Sequence, residues 1–220
     1  MNVFNHMACS GIGADDFYGP LCTVACYVSD QDILWLKDLH LENINFEDNE
    51  QIIKYGQILK DKLIYSLLIM DNSHYNQMID EGLKMAQIKT FLCNQAMVNV
   101  IKRVDEPIKK KIVIPFLSPK KYYKHLKKKT LVVTHLTFTN DDNTYIGLKC
   151  AKILAKYAHF QYFRNMKQSL NIDLPHSCQM SAIECGLDLV HKHGIDILEK
   201  VSKKNLPNYK QILELLKASD

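Results

Sequence analysis

Arginine is nearly missing from this 220-residue chain: Arg103 and Arg164 are the only guanidinium groups among 28 basic residues. Positive charge therefore rests on lysine, a flexible point charge that discriminates geometry less well than the arginine fork. The seven cysteines are odd in number and none forms a C-x-x-C pair, so zinc-ligand spacing is absent. His191 and His193 stand two apart in a helical stretch. Their side chains diverge by about 200° and cannot readily chelate one ion together. The thiols read instead as small buried side chains in a reducing compartment. No apolar run is long enough to span a bilayer and no signal peptide is recognisable, so a soluble cytoplasmic protein is expected. Internal repeats and low-complexity linkers are missing too. A hydrophobic share of 47% suffices for a substantial core, and one domain spanning 1–220 is expected.

The apolar patterning gives an alternation of strands and helices. Strands are expected at Asn2–Cys9 and Leu21–Val28, flanking a glycine-containing turn, and Ser29 is placed to cap a short helix ending near Leu39. A polar helix over Asn45–Asp61, a buried strand over Leu63–Met70 and a helix or helix pair over Ser73–Arg103 follow. Strands are next expected at Lys111–Phe116 and Leu131–Phe138, separated by a basic helix at Pro119–Lys128. After a polar turn at Asn140–Asn143 comes a helix over Ile146–Met166, then helices over Ser177–His193 and Asn205–Ala218, so that the part from about 177 to 220 is helical. This order implies an α/β fold, a mixed sheet flanked by helices with C-terminal helices.

The net charge of +4 is mild, but its distribution is not even. Between Ile101 and Thr130 there are eleven Lys or Arg against Asp105 and Glu106. Within this stretch Lys120, Lys121 and Lys124 interleave with Tyr122 and Tyr123. The lysines could neutralise phosphates while a tyrosine stacks on a base or sugar. The alternative is an amphipathic surface helix whose tyrosines and Leu126 face the core.

The segment with the most chemical information is Cys9-Ser10-Gly11-Ile12-Gly13-Ala14-Asp15-Asp16-Phe17-Tyr18-Gly19-Pro20. It resembles the opening motif of the type 2 ribonucleases H, ribonuclease HIII above all, D-E-x-G-x-G-D-Y-F-G-P. Gly13, Asp16, the pair Phe17-Tyr18, Gly19 and Pro20 match in register. The two leading acids fall on Ser10 and Gly11. Further along, Ile112-Val113-Ile114-Pro115-Phe116 resembles the strand ending in D-Q-F, with Ile114 at the aspartate position. Ala151-Lys152-Ile153-Leu154-Ala155-Lys156-Tyr157-Ala158 resembles A-S-I-I-A-R-Y-A, with Lys152 at the serine. Ten places before Lys152 stands Asp142, where the family has its acid. Tyr75-Asn76, Cys93-Asn94-Gln95-Ala96, Leu174-Pro175 and the stretch from Gly194 to Val201 extend the likeness over almost the whole chain. Ribonuclease HIII carries an additional N-terminal substrate-binding domain, and with the first motif opening at Cys9 this chain is expected to lack one.

The resemblance implies a ribonuclease H-like fold and a phosphodiester hydrolysis that uses two Mg²⁺ or Mn²⁺ ions about 4 Å apart, held by converging carboxylates. Of four such acids only Asp142 is retained; Ser10, Gly11 and Ile114 are degenerate positions. Asp15 and Asp16 are the other candidate metal ligands near the motif. Gly13, Lys120, Lys121, Lys124 and Lys156 are the candidate nucleic-acid contacts, Lys156 because it matches a basic residue bordering the family's active site. Gly11-Ile12-Gly13 is not a nucleotide loop, since a strand rather than a helix follows it. Three readings stay open: a degenerate, catalytically impaired ribonuclease H-like protein that binds RNA–DNA hybrid or another nucleic acid; an active metal-dependent hybrid endonuclease with a rearranged site; and a protein-interaction module built on the same scaffold.

Overall fold

The two apolar runs at the start of the chain pair as antiparallel strands, β1 (His6–Ile12) and β2 (Leu21–Val28), with Ala8 opposite Cys26 and Ser10 opposite Val24. The computed structural model describes residues 4–171, 174–175 and 180–219. The strand predicted to end at Cys9 continues through Ser10 and Gly11 to Ile12, because the ladder persists as far as Ile12 opposite Cys22. The other side of β1 pairs in parallel with β4 (Lys110–Val113), which pairs in parallel with β5 (Leu136–Phe138). With β3 (Ile64–Met70) next to β2, the five-stranded order is β3-β2-β1-β4-β5. The mixed sheet expected from the alternation of elements is present.

Local signals set the helix starts. Ser29 caps α1 (Asp30–Asp38) in a reciprocal capping box with Asp32. Asp48 caps α2 (Asn49–Lys62), which a short 3₁₀ turn at Leu41–Asn43 precedes. The helical stretch after β3 is a pair, α3 (Asn72–Asp80) and α4 (Met85–Ile101). Pro119 occupies the first turn of α5 (Pro119–Leu126), and α6 (Ile146–Leu170) runs past its predicted end. α7 (Met180–His193), α8 (Asp196–Val201) and α9 (Pro207–Ser219) complete the chain, and the predicted start of α7 at Ser177 lies outside the described residues.

The strand predicted over Leu131–Phe138 forms only at its end. Asn94 from α4 takes the backbone instead: its Nδ2 donates to Leu131 O at 2.8 Å and its Oδ1 accepts from Val133 N at 2.9 Å. His135 then adopts a left-handed φ of 57°. A side chain distant in sequence has displaced ladder bonds, which local propensity does not register.

The chain separates into two compact units interleaved in sequence. The first comprises Met1–Ile12, Cys22–Leu68 and Ala86–Ala158; the second comprises Gly13–Leu21, Ile69–Met85 and His159–Asp220. In the first, strand alternation gives the sheet two apolar faces. Val24, Cys26 and Val28 pack with Ile33 and Leu36 of α1, Leu59 of α2 and Cys150, Ala151, Ile153, Leu154 and Ala155 of α6. Met7, Cys9, Ala25 and Tyr27 pack on the opposite face with Cys93–Val100 of α4 and Tyr122 and Leu126 of α5. The second unit has its own core, in which Phe17, Tyr18, Phe163, Leu189, Leu198 and Ile212 meet. Five of the six described cysteines are buried; burial pushes the Cys26 thiol up to about 12, far from reactive thiolate character.

Candidate active site

In the first unit, β1, β4 and β5 run parallel, so their carboxyl ends share one edge of the sheet, the position where open α/β sheets place ligands. Ser10 and Gly11 lie at that end of β1. Ile114 follows β4 directly and its N–H donates to Cys9 O at 3.3 Å, which puts it beside Ser10. Thr139 extends β5 in the same way by donating to Val113 O at 3.1 Å. The chain then turns through Asn140–Thr144, where Asp142 N donates to Asn140 O and Asp141 Oδ1 accepts from Thr144 N, before α6 begins. The topology thus brings Ser10, Gly11, Ile114 and the Asp142 turn to one end of the sheet.

The side chains there differ from a metal-binding set. Ser10 is buried and presents a hydroxyl. Gly11 presents nothing, and a Cβ added to it would already stand 3.1 Å from Cys22 O and 3.2 Å from Thr23 Oγ1. Ile114 packs with Ala8, Ile112, Leu148 and Tyr145, an apolar cluster at the place of a carboxylate. Asp142 is engaged with lysines of α6: Lys152 Nζ donates to its Oδ2 at 2.6 Å, and Lys149 Nζ lies 3.9 Å from its Oδ1. Three-residue spacing on a helix places both ammonium groups on one face. The Asp142 side chain is 19% exposed and that of Lys149 only 8%, so solvent screens this cluster incompletely.

Two divalent ions need several anionic oxygens. Here Asp142 faces two ammonium groups, and Glu42 faces Lys149 across the adjoining cavity, so the carboxylates are already matched by lysines. Unit charges 4 Å apart interact by about 4 kcal/mol at an effective dielectric of about 20, and a divalent ion doubles that repulsion. Among the described residues no group of three or more His, Cys, Asp or Glu is placed to hold a metal ion. The donors present do not fit a pair of divalent cations.

α6 is itself fixed to the sheet within this unit. Gly147 N donates to His6 Nε2 at 3.0 Å, so the His6 proton resides on Nδ1, which donates to Phe4 O at 3.0 Å. A Cβ on Gly147 would stand 2.9 Å from the imidazole, so the glycine permits this approach. Burial lowers the His6 pKa, and the hydrogen bond to Phe4 opposes that shift. The other first-unit candidates are at the surface. Lys120, Lys121 and Lys124 of α5 are exposed, while Tyr122 and Leu126 are buried, so the tyrosine at 122 serves the core. Lys156 pairs with the exposed Glu47 at 3.0 Å.

The second unit contains the rest of the motif, including Gly13, Asp15 and Asp16. Gly13 has φ +91°, and a Cβ there would fall 2.1 Å from Pro20 O; Gly19 has φ +78°, and a Cβ would fall 2.2 Å from the Phe163 ring. Both positions admit only glycine. Phe17 and Tyr18 are fully buried, with Tyr18 OH donating to Ala182 O at 2.6 Å. Asp15 is exposed, and Asp16 Oδ2 lies 3.5 Å from His159 Nε2.

Lys203 is the residue that sequence reasoning missed. It is fully buried, and its Nζ donates to Asp16 O at 2.8 Å and Gly19 O at 2.6 Å. Its own N–H donates to Phe17 O while Gly19 N donates to Val201 O, so the segment around Ser202 clamps the motif loop. In the sequence it is one lysine of a Lys-Lys pair, and nothing local distinguishes it from its half-exposed neighbour Lys204.

Comparison with known proteins places these features in a family. No family model matches the chain. Ribonuclease HIII of Bacillus licheniformis is 32% identical over 200 residues, covering 90% of this chain and 64% of the relative. Ribonuclease HIII of Bacillus cereus is 29% identical over 210 residues, covering 94% of this chain and 67% of the relative. The chain therefore spans about two thirds of the length of these relatives. A crystal structure of Bst-RNase HIII in complex with Mn²⁺ superposes with a TM-score of 0.92 at 18% identity, covering 99% of this chain and 71% of that one. With the sheet order, the motif loop and these matches in agreement, the chain is similar over almost its whole length to ribonuclease HIII members of the type 2 ribonuclease H family and shares their fold.

Proposed function

We propose that this chain is a degenerate type 2 ribonuclease H that binds RNA–DNA hybrid without hydrolysing it. The observation that carries the proposal is the 2.6 Å contact between Lys152 and Asp142, the single acid at a position where the family has four. Ser10, Gly11 and Ile114 supply no carboxylate, so the charge needed to hold Mg²⁺ or Mn²⁺ and activate water is lacking. Support for binding comes from the exposed Lys120, Lys121 and Lys124 of α5, which are available to phosphates, and from Lys156, whose partner Glu47 is solvated and exchangeable.

The test is incubation of the purified protein with an end-labelled RNA–DNA hybrid and Mg²⁺ or Mn²⁺, alongside hybrid binding measured against salt. No cleavage is expected, and the affinity should fall steeply as salt rises. Cleavage by the native chain that disappears in Asp142→Ala would establish an active enzyme with a rearranged site. Absence of binding to hybrid, duplex or single strand at low salt would favour a protein-interaction role.

A further inference from the structure

We infer that Lys152, with Lys149 behind it, is a tethered substitute for a divalent ion: the chain supplies the positive charge at Asp142 itself, so the centre neither binds nor needs a metal and presents an ammonium group to a nucleic-acid phosphate. The family-typical acids are not merely missing. The one that remains is held at 2.6 Å by a cation from the adjacent helix, and a second, nearly buried cation stands 3.9 Å from its other oxygen.

Access does not explain the exclusion of metal. A cavity of about 380 Å³ opens beside Asp142, lined also by Lys37, Glu42 and Lys149. Its lining sets Lys37 and Lys149 against Glu42 and the engaged Asp142, so it offers an entering cation no net negative charge. A flexible lysine stem also lets Lys152 stay paired while part of its donor capacity turns outward, since an ammonium has three donors. The side chain of Lys152 is 31% exposed, against 8% for Lys149, so Lys152 is the one that reaches solvent and a ligand.

The metal half of this inference stands independently; the phosphate half rests on the proposed hybrid binding. Calorimetric Mn²⁺ titration of the free protein tests the first. No binding is expected for the native chain, whereas Ser10→Asp/Ile114→Asp/Lys152→Ser should bind Mn²⁺ at least tenfold more tightly than Ser10→Asp/Ile114→Asp with Lys152 kept. Stoichiometric Mn²⁺ binding by the native chain, or equal binding by the two variants, would overturn it. Hybrid binding tests the second half with native and singly substituted protein. Affinity should change less than twofold between chelator and Mg²⁺ at matched ionic strength. Lys152→Ser should weaken binding and lower the logarithmic salt slope by about 0.9, the contribution of one phosphate contact, and Lys152→Arg should restore it. Tenfold tightening by Mg²⁺, or a salt slope unchanged in Lys152→Ser, would sink the proposal. Complete failure to bind hybrid would remove the proposed function while leaving the Mn²⁺ titration to decide on the tethered cation.

Discussion

The loop from Gly13 to Pro20 and the strand-end centre at Ser10, Gly11, Ile114 and Asp142 belong to one motif system in sequence but follow different physical rules. In the loop, almost every family-like residue answers a steric demand: positive φ at Gly13 and Gly19, full burial of Phe17 and Tyr18, and backbone carbonyls fixed by Lys203. At the strand ends, the family-like residue type survives only at Asp142, and that carboxylate is engaged by lysines. The loop's residues are required by the fold, because changing them creates clashes or orphaned polar groups. The acids are required only by metal chemistry, so a hydroxyl, a glycine and an isoleucine can replace them while the sheet edge keeps its pairing.

Three substitutions or conditions can break or sharpen that contrast. The largest effect is expected from Gly13→Ala, whose Cβ would collide with Pro20 O in a backbone conformation with φ +91°. A loss of about 3–5 kcal/mol in denaturant unfolding is expected, summing strain and overpacking. A loss below about 1 kcal/mol would show that the loop is not a steric frame. Lys203→Met should follow, at about 2–3 kcal/mol, because the carbonyls of Asp16 and Gly19 would remain buried without their donor. Full stability of that variant would mean that the remaining backbone bonds suffice to hold the loop.

The smallest effect should be a pH dependence at the sheet. His6 is buried and accepts from Gly147 N, and burial holds its folded pKa below the ordinary histidine value of 6.5. The unfolded chain therefore binds the proton more readily. The His6 contribution is complete above about 6.5 and is lost as the pH falls through the lower folded value, with a slope of at most about 1.4 kcal/mol per pH unit for one proton. His6→Gln should flatten this segment of the stability profile; an unchanged profile would remove His6 from the linkage.

Much of the fold was legible because its signals are local. Ser29 with Asp32, the alternating apolar run Leu21–Val28 and Pro119 each specify an element within a few residues. Where distant groups intervene, the reading shifted: Asn94 shortened β5, and the ladder with β2 carried β1 through Ser10 and Gly11. At the candidate site, the register of the motifs pointed to Asp142, Ser10, Gly11 and Ile114, which the topology brings to one end of the sheet. Their electrostatic fate was not legible, since ten residues separate Asp142 from Lys152 and only the turn into α6 folds one back upon the other.

By itself the sequence determined the family likeness, the mixed α/β plan and the residue types at the motif positions, because residue identity and short-range spacing encode all three. Tertiary structure alone decided that two lysines neutralise the remaining acid and that a buried Lys203 holds the motif loop. The first depends on the turn that folds α6 back on Asp142 and the second on a contact across 187 residues, and electrostatic energy follows distance in space and desolvation rather than order in sequence.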